Sequence, residues 1–192
     1  MQSTSCPSPD SVAGLLERGR EMHKFLARPY PRKRLSITLN SNEPTTLNAL
    51  QRNVAKTLKR LNNKTDRLWY KRPRNTWWQA AFFIEGHEFE AASPVTMHVH
   101  GILAPGLGMH DGRYLEMMSP GLDEGAIRTG DKTLLCERHI TRAWRDVYGK
   151  GSVRIKGISD LPGWAYYCTK DLCRRGPHLR RAHEAYLLLP EY

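Results

Sequence analysis

Residues 34–40, RLSITLN, constrain the fold more than any other stretch. Leu35, Ile37 and Leu39 alternate with Ser36, Thr38 and Asn40, the period of a strand with one face covered and the other left polar. The covering layer follows at once. Between Thr45 and Leu61, the residues Leu47, Leu50, Val54, Leu58 and Leu61 recur at helical spacing, with Thr45 or Thr46 available as a cap and Asn62-Asn63 as the stop. Apolar runs WQAAFFIE (78–85) and TMHVHGIL (96–103) read as further strands, and GSVRIKGIS supplies another through Val153, Ile155 and Ile158. Residues 134–148 form an amphipathic helix ending at Gly149, and a last helical region after Pro162 carries WAYYCTKDLCRR. The order strand, helix, strand, strand, helix, strand, helix predicts an α+β fold: a central antiparallel sheet with its helices on one face.

Residues 11–26 predict an amphipathic helix with Val12, Leu15, Leu16, Met22 and Phe25 on one side, ended by Pro29 and Pro31. Residues 105–130 read as long loops with short helical turns, and 182–192 as a short helix or strand over the core. There is no internal repeat, and 192 residues suit one domain. The division expected is an N-terminal helical and basic extension (1–33), a central domain (34–175) and a C-terminal extension packed on it (176–192).

Thirty Lys and Arg against 19 Asp and Glu give a formal charge of +11, a field that attracts polyanions. Nucleic acid is the leading reading; an anionic membrane surface or a merely solubilising surface are the others. No run of eighteen apolar residues offers a membrane span, and the polar start, broken by Pro7 and Pro9, is unlike a secretory signal. Cys6, Cys136, Cys168 and Cys173 do not make a disulfide scaffold in a chain this long. Zinc on Cys168 and Cys173 with His178 or His183 lacks a matching second pair, so neutral thiols in a reducing compartment are expected.

Three pieces carry chemistry. His98 and His100 are two apart in a strand, so both imidazoles emerge on one side, with Val99 and Ile102 expected toward the opposite layer. Imidazole suits transition metals, and a phosphate-bound Mg2+ or Mn2+ calls for a carboxylate beside it. Glu85, at the end of the adjacent strand, or Glu90, nearer in sequence, could supply it. Tyr167 and Lys170 lie i,i+3 on one helix face, where a phenol and an ammonium can meet one phosphate; Tyr166, at i,i+4 from Lys170, has almost the same setting. The polar edge of RLSITLN, Thr38 and Asn40, could line a nucleotide surface. Each piece alone has a plain structural explanation: a polar patch, a core tyrosine beside a solvated lysine, a solvent-facing strand.

Together and in this order, SITLN (36–40), HVHGIL (98–103) and YCTKD (167–171) resemble the HUH endonucleases, specifically the nicking domains of rolling-circle replication initiators. The resemblance spans about residues 34–175. It implies a ferredoxin-like or RRM-like nuclease domain, with His98 and His100 as ligands of Mg2+ or Mn2+, Tyr167 as nucleophile and Lys170 as its basic companion. Glu85 is favoured over Glu90 as the metal carboxylate, because the family's carboxylate ends the strand before the histidines. Activity would be sequence-specific nicking and joining of single-stranded DNA, or of an origin hairpin, through a 5′-phosphotyrosyl intermediate. A separate helicase would be a partner, and the location intracellular: cytoplasmic in a prokaryote, nuclear if the protein comes from a eukaryotic virus. A plasmid relaxase or transposase-like strand transferase would use the same chemistry; a hydrolase without covalent tyrosine and a noncatalytic single-stranded nucleic-acid-binding domain are the further alternatives.

GAIRTGDKT (125–133) resembles a phosphate loop, but Asp131 spoils the Gly-Lys register and no strand precedes it, so ATP binding is not expected there. For DNA contact the interleaved segment 67–78 stands out. Arg67, Lys71, Arg72 and Arg74 can meet phosphates, and Trp69, Tyr70 or Trp77 can stack on bases, with Trp78 more structural. Arg32, Lys33 and Arg34 offer a second positive rim.

Overall fold

The computed structural model of the chain describes residues 11–86, 96–120, 134–149, 151–175 and 179–189. Strands β1 (Leu35–Asn40), β2 (Gln79–Glu85), β3 (His98–Ala104), β4 (Ser152–Gly157) and β5 (Tyr186–Leu189) form one sheet in the order β4-β1-β3-β2-β5. All four neighbouring pairs are antiparallel. Around the sheet lie α1 (Val12–Ala27), α2 (Leu47–Thr65), α3 (Asp111–Met118), α4 (Leu135–Tyr148), α5 (Leu161–Thr169) and α6 (Leu179–Glu184). The fold is thus mixed α+β, with a central antiparallel sheet and flanking helices. Among the described residues no helix is long and apolar enough to cross a membrane.

The helices cover both faces of the sheet, not one as the element order suggested. On one face Leu35, Ile37 and Leu39 of β1 join Val99, Leu103, Phe82 and Ile84, and α2 and α4 close over them with Leu50, Val54, Leu61, Ile140 and Trp144. On the other, Ala81, Phe83 and Ile102 pack with Leu26 of α1 and with Ala165 and Cys168 of α5. Ile102 therefore shares the histidine side of β3, against expectation. Positions 98, 100 and 102 share a side by strict alternation, and the second covered face shows in β2, where Ala80 through Ile84 are all buried. Such an unbroken apolar run belongs to a strand covered on both sides, whereas β1 alternates.

Both terminal segments are integrated into these layers. Helix α1 packs on α5, and at Gly19 the approach is close enough that a Cβ would lie 2.1 Å from the Leu172 carbonyl oxygen. Leu15, Leu16 and Leu26 are buried, while Val12 and Phe25, expected on the apolar side, are exposed. Residues 186–189 pair with β2 as an edge strand. The region read as long loops with short helical turns holds α3, and α5 stops at Thr169 rather than running through Arg175.

Helix α2 continues past Asn62 because that residue is an anchor rather than a stop. Its Oδ1 accepts the Trp78 backbone N–H at 2.8 Å, and Thr65 Oγ1 accepts Trp78 Nε1–H at 2.9 Å. Trp78 is fully buried, so both of its donors need partners inside the protein. Gly149, with φ 78°, ends α4 in the left-handed region as expected.

Candidate active site

Cross-strand register assembles the site. Ser152, Asn40, His98 and Glu85 stand in one row, and Arg154, Thr38, His100 and Phe83 in the next. Residues directly opposite in an antiparallel sheet share a face, so β1's polar edge, both imidazoles and Glu85 emerge together on the face that carries α5.

Each imidazole is held by β1. His98 Nδ1 lies 2.7 Å from Asn40 Oδ1, and Asn40 Nδ2 in turn donates to Ser152 Oγ at 2.9 Å. A carbonyl oxygen can only accept, so His98 Nδ1 is the donor of this bond and Nε2 takes no part in it. His100 Nδ1 lies 3.2 Å from Thr38 Oγ1. Thr38 and Asn40, read from sequence as a nucleotide surface, thus orient the histidines. Partners of this kind fix ring orientation at metal centres.

Helix α5 brings the remaining groups. Asp160 caps it by accepting the Gly163 N–H at 3.0 Å, and Trp164 Nε1–H donates to the Gly101 carbonyl of β3 at 3.0 Å, fixing the helix on the sheet. One turn later Tyr167 stacks on Trp164, with centroids 5.2 Å apart and planes 17° from parallel. Its Oη lies 3.4 Å from His100 Nε2. That same Nε2 is 3.2 Å from Glu85 Oε2, while Glu85 Oε1 contacts Lys170 Nζ directly. Lys170 Nζ also sits 4.3 Å from the Tyr167 ring centroid.

The charges reinforce one another. The hydrogen bond with His100 holds the Glu85 carboxyl down to about 2 against the opposing effect of burial, and Lys170 adds to the lowering. Burial works against the Lys170 ammonium, but its hydrogen bond and charge interaction with Glu85 outweigh this and raise it. Burial and then the Glu85 charge push the Tyr167 phenol up, with Lys170 pulling the other way. Tyr167 is therefore a phenol at neutral pH, with an ammonium at hand for its deprotonated form.

Tyr166 is turned elsewhere. It is 48% exposed, its Oη accepts from Arg174 at 3.1 Å, and its ring meets His23 of α1 edge-on. Of the two tyrosines, only Tyr167 stands beside His100. Glu90 and the loop 125–133 lie outside the described residues.

In donor chemistry, two imidazoles and a carboxylate suit a divalent cation on a phosphate. In arrangement, no three His, Cys, Asp or Glu converge as metal ligands among the described residues. His98 leans to Asn40, and Lys170 neutralises Glu85. Cys168 is buried with its thiol pushed up to about 12, first by burial and then by Glu85, as expected of an inert thiol.

The basic and aromatic segment lies away from this site. Gln79, which follows it, pairs with Ala104 at the end of β2 opposite Glu85, about 20 Å along the strand. Arg32 and Arg34 do not form a free rim either: Arg32 donates to the Met109 carbonyl at 2.6 Å and to Asp111 at 2.7 Å, and Arg34 to the Leu26 carbonyl. The cations that do share the histidine face are Arg154 and Lys156, exposed on β4 opposite Thr38 and Ser36. Their alternation with Val153 and Ile155 was a signal available in the sequence, as was the aromatic i,i+3 pair Trp164 and Tyr167. Comparison with family models, with curated proteins and with solved structures found no match.

Proposed function

We propose that this chain nicks and rejoins single-stranded DNA in the manner of a rolling-circle initiator of the HUH type, with Tyr167 as nucleophile. The observation that carries the reading is the meeting of Tyr167 Oη with His100 Nε2 at 3.4 Å, in a cluster that also holds Glu85 and Lys170. These residues are 85 positions apart at the extreme and belong to three different elements. A core tyrosine needs no such company.

In the reaction, Tyr167 Oη loses its proton to solvent and attacks the phosphorus of a phosphodiester. The new O–P bond forms as the bond to the 3′ oxygen breaks, and that oxygen takes up a proton as a free 3′-hydroxyl. A 5′-phosphotyrosyl linkage remains, and attack by another 3′-hydroxyl reverses the exchange and releases Tyr167. Lys170 stabilises the phenolate and the charge gathering on the phosphoryl oxygens. Arg154 and Lys156 hold flanking phosphates on the same face. His98, His100 and Glu85 are the residues that would hold Mg2+ or Mn2+ once Glu85 is released from Lys170, and the ion would supply Lewis-acid polarisation of the scissile phosphate.

Incubation with labelled single-stranded oligonucleotides of origin-like sequence, with Mg2+ or Mn2+, tests this. Wild-type protein and Tyr166→Phe should yield a covalent protein–DNA species by denaturing gel and mass spectrometry. Tyr167→Phe should yield none while still binding DNA, and covalent product from it would overturn the assignment. A noncatalytic single-stranded nucleic-acid-binding domain is the competing reading, favoured by the pairing of Glu85 with Lys170 and the separation of His98 from the cluster. Tight binding with no covalent product in any metal would establish it instead.

A further inference from the structure

The segment following α2 builds a cavity of about 450 Å³, remote from the histidines. Its walls come from the end of α2, the short helical turns at Trp69–Lys71 and Arg74–Thr76, and the start of α3. Trp69 and Trp77 meet edge-to-face inside it, with centroids 4.5 Å apart. Two guanidiniums stand at its wall, each fixed by a partner. Arg72 Nε lies 3.3 Å from Asp66 Oδ2, and Arg113 Nη1 donates to the Thr65 carbonyl at 2.6 Å. The Trp77 indole N–H is buried there and has no hydrogen-bond partner among the described residues.

Trp69 also lines a neighbouring groove along α2, together with Tyr70, Lys56, Lys59 and Arg60. The two depressions therefore share one indole. One is aromatic and of a size to take a planar ring system; the other is cationic and runs along a helix face. Aromatic faces beside a track of cations are what an unpaired nucleic-acid strand requires: a base to stack and phosphates to neutralise. Arg60 is paired with Asp146 at 3.3 Å, and a neutral or cationic ligand would find no use for Lys56 and Lys59.

We infer that this cleft is a second single-stranded nucleic-acid site, taking one unpaired nucleobase against Trp69 and Trp77 with the adjoining phosphates along Lys56 and Lys59. It lies on the α2 side of the sheet and at the end away from Glu85, so it is separate from the proposed cleavage site. A strand engaged here is held apart from the phosphate being cut. The inference deepens the proposed function but does not need it, since stacking here requires no chemistry at Tyr167.

Photo-crosslinking and affinity test it on the full chain. The probe is a dT16 oligonucleotide with one 5-iodouracil. Crosslinks mapping to the peptide that contains Trp69 and Trp77 are expected, together with a loss of dT16 affinity in Trp69→Leu between about fivefold and about a hundredfold. Lys56→Glu with Lys59→Glu, both exposed and outside the indole packing, should lessen the salt dependence of log K by about 1.4 if both contact phosphates. Crosslinks confined to other peptides, with wild-type affinity in both variants, would overturn the inference. Covalent cleavage product scored on the same proteins keeps the two proposals apart: dT16 bound through Trp69 with no cleavage anywhere defeats the nicking reading alone.

Discussion

Replacing Glu85 by Gln removes one charge and almost no volume, so its effect isolates the electrostatics of the site. The Glu85 carboxyl is held at about 2 against an ordinary 4.5, and each pKa unit is worth about 1.4 kcal/mol. The undiscounted stabilisation is then about 3 kcal/mol. Side-chain exposures of 26% for Glu85, 14% for His100 and 26% for Lys170 admit solvent, which screens the pair. About 2 kcal/mol at pH 5 and above is the expected loss in Glu85→Gln, a fall of roughly 4–8 °C in Tm for a chain of this size.

The pH dependence gives the sharper test. A carboxyl whose folded pKa lies below its unfolded one contributes fully above the unfolded value and loses the contribution as pH falls through the folded one. Between those values the gap between wild type and Glu85→Gln should close, with most of it persisting at pH 5 and less than half at pH 3. Urea unfolding in EDTA at both pH values measures this with no cation present. An equal gap at pH 5 and pH 3 would mean that the amide disturbs packing or hydrogen bonding rather than charge. The chain of reasoning from Lys170 and His100 to the depressed carboxyl would then fail.

Three further outcomes rest on separate contacts. Asn62→Ala strands the buried Trp78 backbone N–H, and urea unfolding should show a loss of about 1–3 kcal/mol. Trp164→Phe keeps the ring over Tyr167 but loses the bond to the Gly101 carbonyl; covalent product should form more slowly while dT16 affinity is unchanged, and an unchanged cleavage rate would deny Trp164 a positioning role. Arg154→Ala with Lys156→Ala, both exposed, should leave Tm within about 2 °C. The same pair should lessen the salt slope of single-stranded DNA binding by about 1.4; an unaltered slope would remove β4 from the DNA path.

Period-2 and helical spacing made most elements legible, and with them part of the site. The alternation in RLSITLN located β1 and its polar face, and the i,i+2 and i,i+3 rules put His98 beside His100 and Tyr167 beside Lys170 on their respective elements. What these rules cannot supply is pairing between strands. Nothing local to Asn40 or Thr38 says that each will face an imidazole of β3, since that depends on a register fixed by the whole sheet. For the same reason Tyr166 and Tyr167 were inseparable in sequence: they differ by one helical step of about 100°, and only the docking of α5 through Trp164 decides which one meets β3.

The missed second helical layer has its origin in β2. Composition marked segment 67–78 as a nucleic-acid surface but left its distance from the histidines open. A strand has two ends, however, and Glu85 and Gln79 occupy opposite ones. With Trp78 locked into α2 through Asn62 and Thr65, the aromatic segment is tied to the α2 side before β2 begins, and β2 then carries the chain away to Glu85. The apolar residues on both faces of β2 accommodate a helical layer on each side. That same doubly covered strand lies between the aromatic cleft on the α2 side and Tyr167 on the α5 side.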